Sequence, residues 1–556
     1  MMDTKIKKVE ILPLIKYYMD ALGLAGLFDK YVPNNGMEIA PAQVLCMMVM
    51  NIMVSAKPLY RMEDWLHDHL DGVTEMRCAA GKYNDDRLGR NLDLLFAADR
   101  ASFLVELSAT SIRVHRLETD EIHNDSTSVT FIGAYDKEDP GAVRIVHGYN
   151  KDHRPDCKQI VFGLNVTADG HVPLSYELYD GNRADVTTHI PNWEQLRAML
   201  GREDFIYVAD SKLCSYENLC TIAGNGGRFI TVVPRNFREV KDFLARVRAG
   251  EDVEWQYEVS VPDSRKKGAT QDYRIHVGED MGEGFRILWI HSKAKERLEG
   301  SNRDRRVAKA EQALSRLSSG LNQRALKTRE QIEVAIKKAV QGASAYLSVT
   351  IHEDRTSERV QVGRGRPGPN TRYEEKQSVS YRLEWKRDED EIARARRSDG
   401  LFPLVDNTSL EPLEVLRTYK DQPYLEKRFS TKKSVLEVAP VFLERPQRIE
   451  AMMFLYFVAL MLVSLIERRI RMEMQEHKID KLPMRPAGMY TKKPTWRTIK
   501  DSFEGVHLAT LVQSGKVVQA ALKGMTALRQ QILELLKVPI ETYTRLRDGW
   551  WRFEIA

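Results

Sequence analysis

Residues 451–466, AMMFLYFVALMLVSLI, carry no charged side chain, and this run constrains the fold more than any other stretch. A helix that is apolar around its whole circumference must be enclosed by protein or by lipid. The run falls short of the ~18–20 apolar residues that cross a bilayer. Glu450 precedes it directly, and Glu467, Arg468 and Arg469 follow at once. The reading is therefore a core helix buried on every side, and the rest of the chain must enclose it. With 556 residues, 43% of them hydrophobic and 29% charged, the chain has the material for that and for about two to four structural units.

The remaining composition narrows the classes of function. Lys and Arg exceed Asp and Glu by 84 − 79 = 5, and the pI is near 8.7, which permits a polyanionic partner without requiring one. The five cysteines are scattered, with no C-x-x-C pair and no zinc-finger spacing, so neither a disulfide scaffold nor a structural zinc site is expected. Free thiols and an N-terminus, MMDTKIKKVEILPL, without an apolar signal core make a cytoplasmic protein the expectation.

Patterning divides the chain. Residues 1–117 read as a helical domain, with Asn84 as a helix cap. From 118 to 237 the texture changes: EIHNDSTSVTFIG and CKQIVFGLNVTADGHVPLSYELYDG give three strands, and helices and strands alternate after them. That is an α/β core with a mixed sheet. Residues 238–398 interrupt it with strand-like segments and a charged helical stretch over about 303–342, which together read as an inserted β-rich domain. A strand resumes in GLFPLVDN, inside a second core segment over 399–475, and 476–556 reads as a C-terminal helical region.

Two aspartates stand out by placement. Asp125 lies within the first strand of this core and Asp210 ends the fourth, in YVADSKL. Strand-borne carboxylates near the end of a sheet project toward the crevice where α/β proteins hold ligands. Two of them on neighbouring strands repel, and a divalent cation is the usual remedy. A third acid comes from YKDQPYLEKRFSTKKS, residues 419–434. At ~100° per residue, Tyr419, Gln422, Glu426 and Lys433 share a sector of about 60° of one helix. Pro423 stands against an unbroken helix there, because a proline ring blocks the preceding turn.

These residues carry a resemblance. The spacing Y-x2-R-x3-E-x6-K marks a large group of DDE-type transposases of bacterial insertion sequences. Tyr419, Glu426 and Lys433 are in register with it, and Gln422 stands where the pattern has arginine. HNDSTSVTFIGAY resembles the segment with the first catalytic aspartate, and FIYVADSKLCSYENL the segment with the second. HGYNKDHRPDCKQIVFGLNV is similar to the stretch between them in one branch of the group. AKPLYRMEDWL and NDDRLGRNLD look like that branch's N-terminal domain. The likeness runs from about residue 10 to about residue 510.

The resemblance implies a ribonuclease-H-like core in which Asp125, Asp210 and Glu426 bind two Mg²⁺ ions, with Mn²⁺ able to substitute. It implies cleavage at the terminal inverted repeats of an element, joining to double-stranded target DNA, and a homodimer on paired ends. A β-rich insertion between the second Asp and the Glu is a trait of the group. Lys433 and Tyr419 would contact backbone phosphates, and Gln422 would hydrogen-bond without the charge of an arginine clamp. Lys212 would neutralise a phosphate near the metals. Two other classes fit less of the sequence: an inactive DNA-binding descendant, and a structure-specific nuclease on the same fold.

Lesser features have bland readings beside their functional ones. GRGRPGP, 363–369, resembles a short basic hook for the minor groove, through Arg364 and Arg366, and also reads as a plain turn. Arg303, Arg305, Arg306 and Lys309 read as a solvated helix face. His147 and His153 have no matching metal ligands and read as structural. Trp255, Trp289 or Trp385 would suit stacking on an extruded base, but a core role is the default.

Overall fold

The computed structural model describes residues 2–69, 80–136, 139–150, 154–183, 185–262, 270–323, 326–421, 443–484, 488–514 and 516–547. It divides into two compact units, Met1–Thr231 with Asn407–Leu410 and Glu414–Ala556, and Val232–Asp406 with Glu411–Leu413.

The first unit opens with strand β1 (Met2–Lys8) and helices α1 (Leu12–Ala21), α2 (Leu24–Tyr31), α3 (Pro41–Val54), α4 (Met62–Asp68), α5 (Asp85–Ala97) and α6 (Arg100–His115). Asn84 caps α5 as its sequence predicts, its side chain accepting from the Arg87 amide at 3.0 Å. The sheet follows: β2 (Glu121–Phe131), β3 (Lys158–Thr167), β4 (Pro173–Asp180), α7 (His189–Leu200), β5 (Ile206–Val208), α8 (Tyr216–Gly224) and β6 (Arg228–Val232). Spatial order is β4-β3-β2-β5-β6. The β4-β3-β2 pairs are antiparallel, and β2-β5 and β5-β6 are parallel. This mixed sheet is the one expected from three strands followed by alternating helix and strand.

The second unit contains α9 (Arg238–Ala249), β7 (Tyr257–Pro262), β8 (Thr270–Val277), β9 (Arg286–Ser292), α10 (Lys293–Ser319), α11 (Arg329–Ala339), β10 (Leu347–Gln361), β11 (Tyr373–Arg387), α12 (Glu389–Arg397) and β12 (Leu401–Asp406). Strands β12, β9, β8 and β7 lie side by side, antiparallel throughout. Strands β10 and β11 form a separate two-stranded ribbon of fifteen paired residues on each side. AYLSVTIHE and ERVQVGRG, which read as two segments, are thus one strand. The charged helical stretch starts earlier than expected, at Lys293, and pauses at Gly320, the C-cap of α10.

One expectation fails here, and one default reading holds. Arg303 is 3% exposed, and its guanidinium pairs with both carboxylate oxygens of buried Asp399, through Nη1 at 3.0 Å and through Nη2. A partner 96 positions away in the chain turns a nominally solvated arginine into a buried one. The other three basic residues of that group are exposed, as expected. Trp289 stacks on Phe243 with centroids 3.7 Å apart, and Trp385 packs on the α10–α11 clusters. Both have the core role. Trp255 is half-buried under the Arg274 guanidinium.

The chain returns to the first unit from Glu414 onward, within α13 (Pro412–Asp421), followed by α14 (Pro446–Glu476), α15 (Trp496–Ser502), β13 (His507–Gln513), β14 (Lys516–Lys523) and α16 (Ala527–Leu535). Helix α14 contains the 451–466 run and is long and apolar enough to cross a membrane, yet its most apolar window is wholly buried. Each fully buried Leu or Phe in it contributes about 1.5–3 kcal/mol. Its charged end is also buried: Arg468 bonds the His115 carbonyl at 3.1 Å and pairs with Asp169 in the β3–β4 turn. The C-terminal region is not all helical. β13 pairs with β1 and β14 in a three-stranded antiparallel sheet that joins the two ends of the chain. Its strands are short and mixed in polarity, so neither end signals its distant partner.

Candidate functional site

The faces of the first unit's sheet differ in chemistry. On one, Asn124 donates to Asn165 at 2.8 Å, and Asn192 of α7 donates to Asn165 at 2.9 Å and to the Tyr207 hydroxyl at 2.8 Å. This buried amide network seats α7 and satisfies the polar groups it hides. The opposite face carries Glu121, His123 and Asp125 at the two-residue period of β2. Leu164 faces Asp125 across the β2–β3 pair, and Tyr176 faces Leu164 across β3–β4. Tyr176 stacks on Phe162 and meets Phe457 of α14 at 4.9 Å. Helix α14 therefore covers the apolar end of the face that bears Asp125.

Register brings together the strands that lead to the two aspartates. His123 pairs with Val208 across the parallel β2–β5 contact. Asp125 and Asp210 each lie two residues further along the sequence, Asp125 within β2 and Asp210 past the end of β5. Past the end of β5 the Ala209 amide still donates to the Ile230 carbonyl at 3.3 Å, which holds the chain on course. The Asp210 carboxylate accepts the Lys212 amide at 2.9 Å, and its carbonyl accepts the Thr231 hydroxyl at 2.7 Å. The Asp125 carboxylate accepts the Ser126 amide at 2.7 Å. Both acids are half-buried and Lys212 is exposed beside them.

Helix α13 docks on this same face. Thr418 donates to the Glu121 carboxylate at 3.0 Å, and the buried His123 ring lies 2.6 Å from the other oxygen of Glu121. Tyr419 is half-buried in the last described turn of the helix. Asp421 closes that turn with its carboxyl held above the ordinary range, chiefly by burial and also by Glu121, against the opposing pull of His123 and Lys493. Glu121 and His123 were not among the expected site residues. Their signal is the alternation E-x-H-x-D in EIHND, one strand face carrying three ionisable groups in a row.

Gln422, Pro423, Glu426 and Lys433 lie outside the described residues, as does His153. Among the described residues no group of three or more His, Cys, Asp or Glu side chains is placed to hold a metal ion. Arg364 and Arg366 are exposed in the second unit, between β10 and β11. His147 is exposed in the segment before β3. Cys46, Cys157, Cys214 and Cys220 are free thiols.

A family model described as a domain of unknown function, DUF4277, matches residues 4–109. No curated protein matches the chain. Among solved structures the chain is similar to piggyBac transposase in a cryo-EM structure of its synaptic complex with hairpin DNA. The identity is 12% and the TM-score 0.26, over 50% of this chain and 61% of that one.

Proposed function

We propose that this chain is a DDE-type DNA transposase that cuts the ends of its own element and joins them to target DNA. The observation that carries the reading is the parallel β2–β5 pairing, whose strands lead on to Asp125 and Asp210. Two carboxylates sharing one site repel unless a cation lies between them. The reading also rests on the order and spacing of the sequence motifs around Asp125, Asp210 and Glu426.

Asp125, Asp210 and Glu426 would hold Mg²⁺, or Mn²⁺ in its place. Glu426 follows Asp421, the last described residue of α13, by 426 − 421 = 5 residues in the sequence. Two such ions, when bound, supply Lewis acidity at both the attacking and the leaving oxygen of a phosphodiester. The protein's part is to hold DNA in line. The Lys212 amide fixes one carboxylate oxygen of Asp210 while its ammonium stays exposed for a phosphate. Tyr419 on α13, with Gln422 and Lys433 beyond it, would grip the backbone of the end being cut. Arg364 and Arg366 would contact DNA through the second unit. Water would attack first, freeing a 3′-OH that then attacks the target strand, and a homodimer would serve the two ends.

The test uses the DNA that flanks the reading frame, labelled at its 5′ ends and incubated with protein, Mg²⁺ and a target plasmid. Labelled ends joined to plasmid are expected. Nicked ends with no joined product would support the nuclease alternative, and binding with no nicking the inactive descendant.

A further inference from the structure

The ribbon of β10 and β11 is the least embedded part of the second unit. At its base, Leu347, Val349, Leu383 and Trp385 pack on α10 and α11. From about Arg355 outward almost every residue on both strands is exposed. Counted from Val349 to Gln361, at ~3.4 Å per residue, the tip thus stands roughly 40 Å from that base. A two-stranded hairpin standing alone in water is marginally stable, so a ribbon of this length calls for something to lie against.

The tip is chemically distinct. Residues 359–373 include Arg359, Arg364, Arg366 and Arg372 and no acidic residue. Among the described residues these four arginines form no ion pair. The loop nevertheless has a defined shape. The Val362 amide donates to the Arg372 carbonyl at 2.8 Å, and the Gln361 side chain donates to the Gly365 carbonyl at 3.0 Å. A turn closes from Thr371 to Gly368. Gly363 and Gly365, with φ of 109° and 141°, bracket Arg364 in conformations that favour glycine. They also leave the backbone there without side-chain bulk. Val360, Val362 and Tyr373 add exposed apolar surface around the loop.

We propose that this ribbon is a DNA-binding arm whose tip enters the minor groove of A·T-rich duplex, independently of the metal site. A narrow loop of glycines and prolines suits a groove about 6 Å wide, where a helix does not fit. Arginine is drawn to the floor of a narrow A·T minor groove by its enhanced negative potential. Arg364 and Arg366 take that position, and Arg359 and Arg372, at the two strand ends, meet the flanking phosphates. Val362 and Tyr373 contact the sugar walls. The arm deepens the function proposed above, on which its DNA partner rests, while the groove and the base preference rest on the ribbon's own geometry.

The experiment measures binding of the full chain, in EDTA, to labelled duplexes of about 20 base pairs with either an A·T or a G·C centre. The wild type should prefer the A·T duplex by about tenfold or more, and the minor-groove ligand netropsin should displace it. R364A/R366A should lose that preference. R364K/R366K keeps the charge and should bind both duplexes without it. D125N should retain the preference in full while losing Mg²⁺-dependent cleavage, which separates the arm from the metal centre. Equal binding of the two duplexes by wild type, indifference to netropsin, or a preference that survives R364A/R366A would each overturn the proposal. Unchanged thermal melting of both double variants checks that the exposed substitutions leave the fold intact.

Discussion

His123 pairs with Val208 across the parallel β2–β5 contact, and Asp125 and Asp210 each follow two residues later in the sequence. Carboxylates that share a metal site oppose folding in the absence of a cation. Replacing either aspartate by Asn should therefore leave stability unchanged or raise it by up to about 1 kcal/mol in metal-free buffer. Urea unfolding in EDTA checks this. A loss of several kcal/mol would mean that the pair is structural.

The buried pair Arg303–Asp399 predicts an asymmetric cost within the second unit. D399A strands a charge that is 3% exposed and should destabilise by about 3–5 kcal/mol. Removing both charges, in R303M/D399A, should recover most of that loss. Denaturant melts of the two variants supply the comparison.

Gly170 sits in the β3–β4 turn at φ 78°, where an added Cβ would stand 2.7 Å from the Arg468 side chain. G170A should cost about 1–3 kcal/mol from backbone strain alone, and more if Arg468 is pushed off Asp169. R468A in the same background should then add less than it does in the wild type, because the two changes act on one contact.

His115 provides a pH signature. It is buried against Tyr18, beside Arg469 and Arg468, and burial above all pulls its pKa from 6.5 to about 4. The folded state thus binds its proton later than the unfolded state does. Stability is full above pH ~6.5, falls as pH drops through that value, and is lower by about 3 kcal/mol once pH passes 4. H115Q should flatten this part of the profile, as read from urea midpoints between pH 4 and 7.

Much of this was legible in the residues, for reasons that differ by element. The 451–466 run and the β2–β6 pattern were readable because burial writes itself into local periodicity. Features that depend on a distant partner were not legible. Arg303 looks solvated until Asp399 is found, and β1 lies in a stretch that reads as helical until β13 is found against it. The ribbon was half visible: both of its strands read as extended, while the pairing that makes them one exposed arm did not. Tyr419 reads as a face residue from spacing alone, but its helix is tied to the site through Thr418 and Glu121, a contact between positions 297 apart in the chain.

The central claim is that Asp125 and Asp210 are metal ligands for DNA cleavage, and a metal-specificity switch tests it most directly. Cleavage of the element's ends would be measured for the wild type and for D210C, in Mg²⁺ and in Mn²⁺. A thiolate is a poor ligand for Mg²⁺ and a better one for Mn²⁺. The account predicts that D210C loses at least about a thousandfold in Mg²⁺ and regains a substantial part of its activity in Mn²⁺. Cleavage by D210C in Mg²⁺ at the wild-type rate would contradict it.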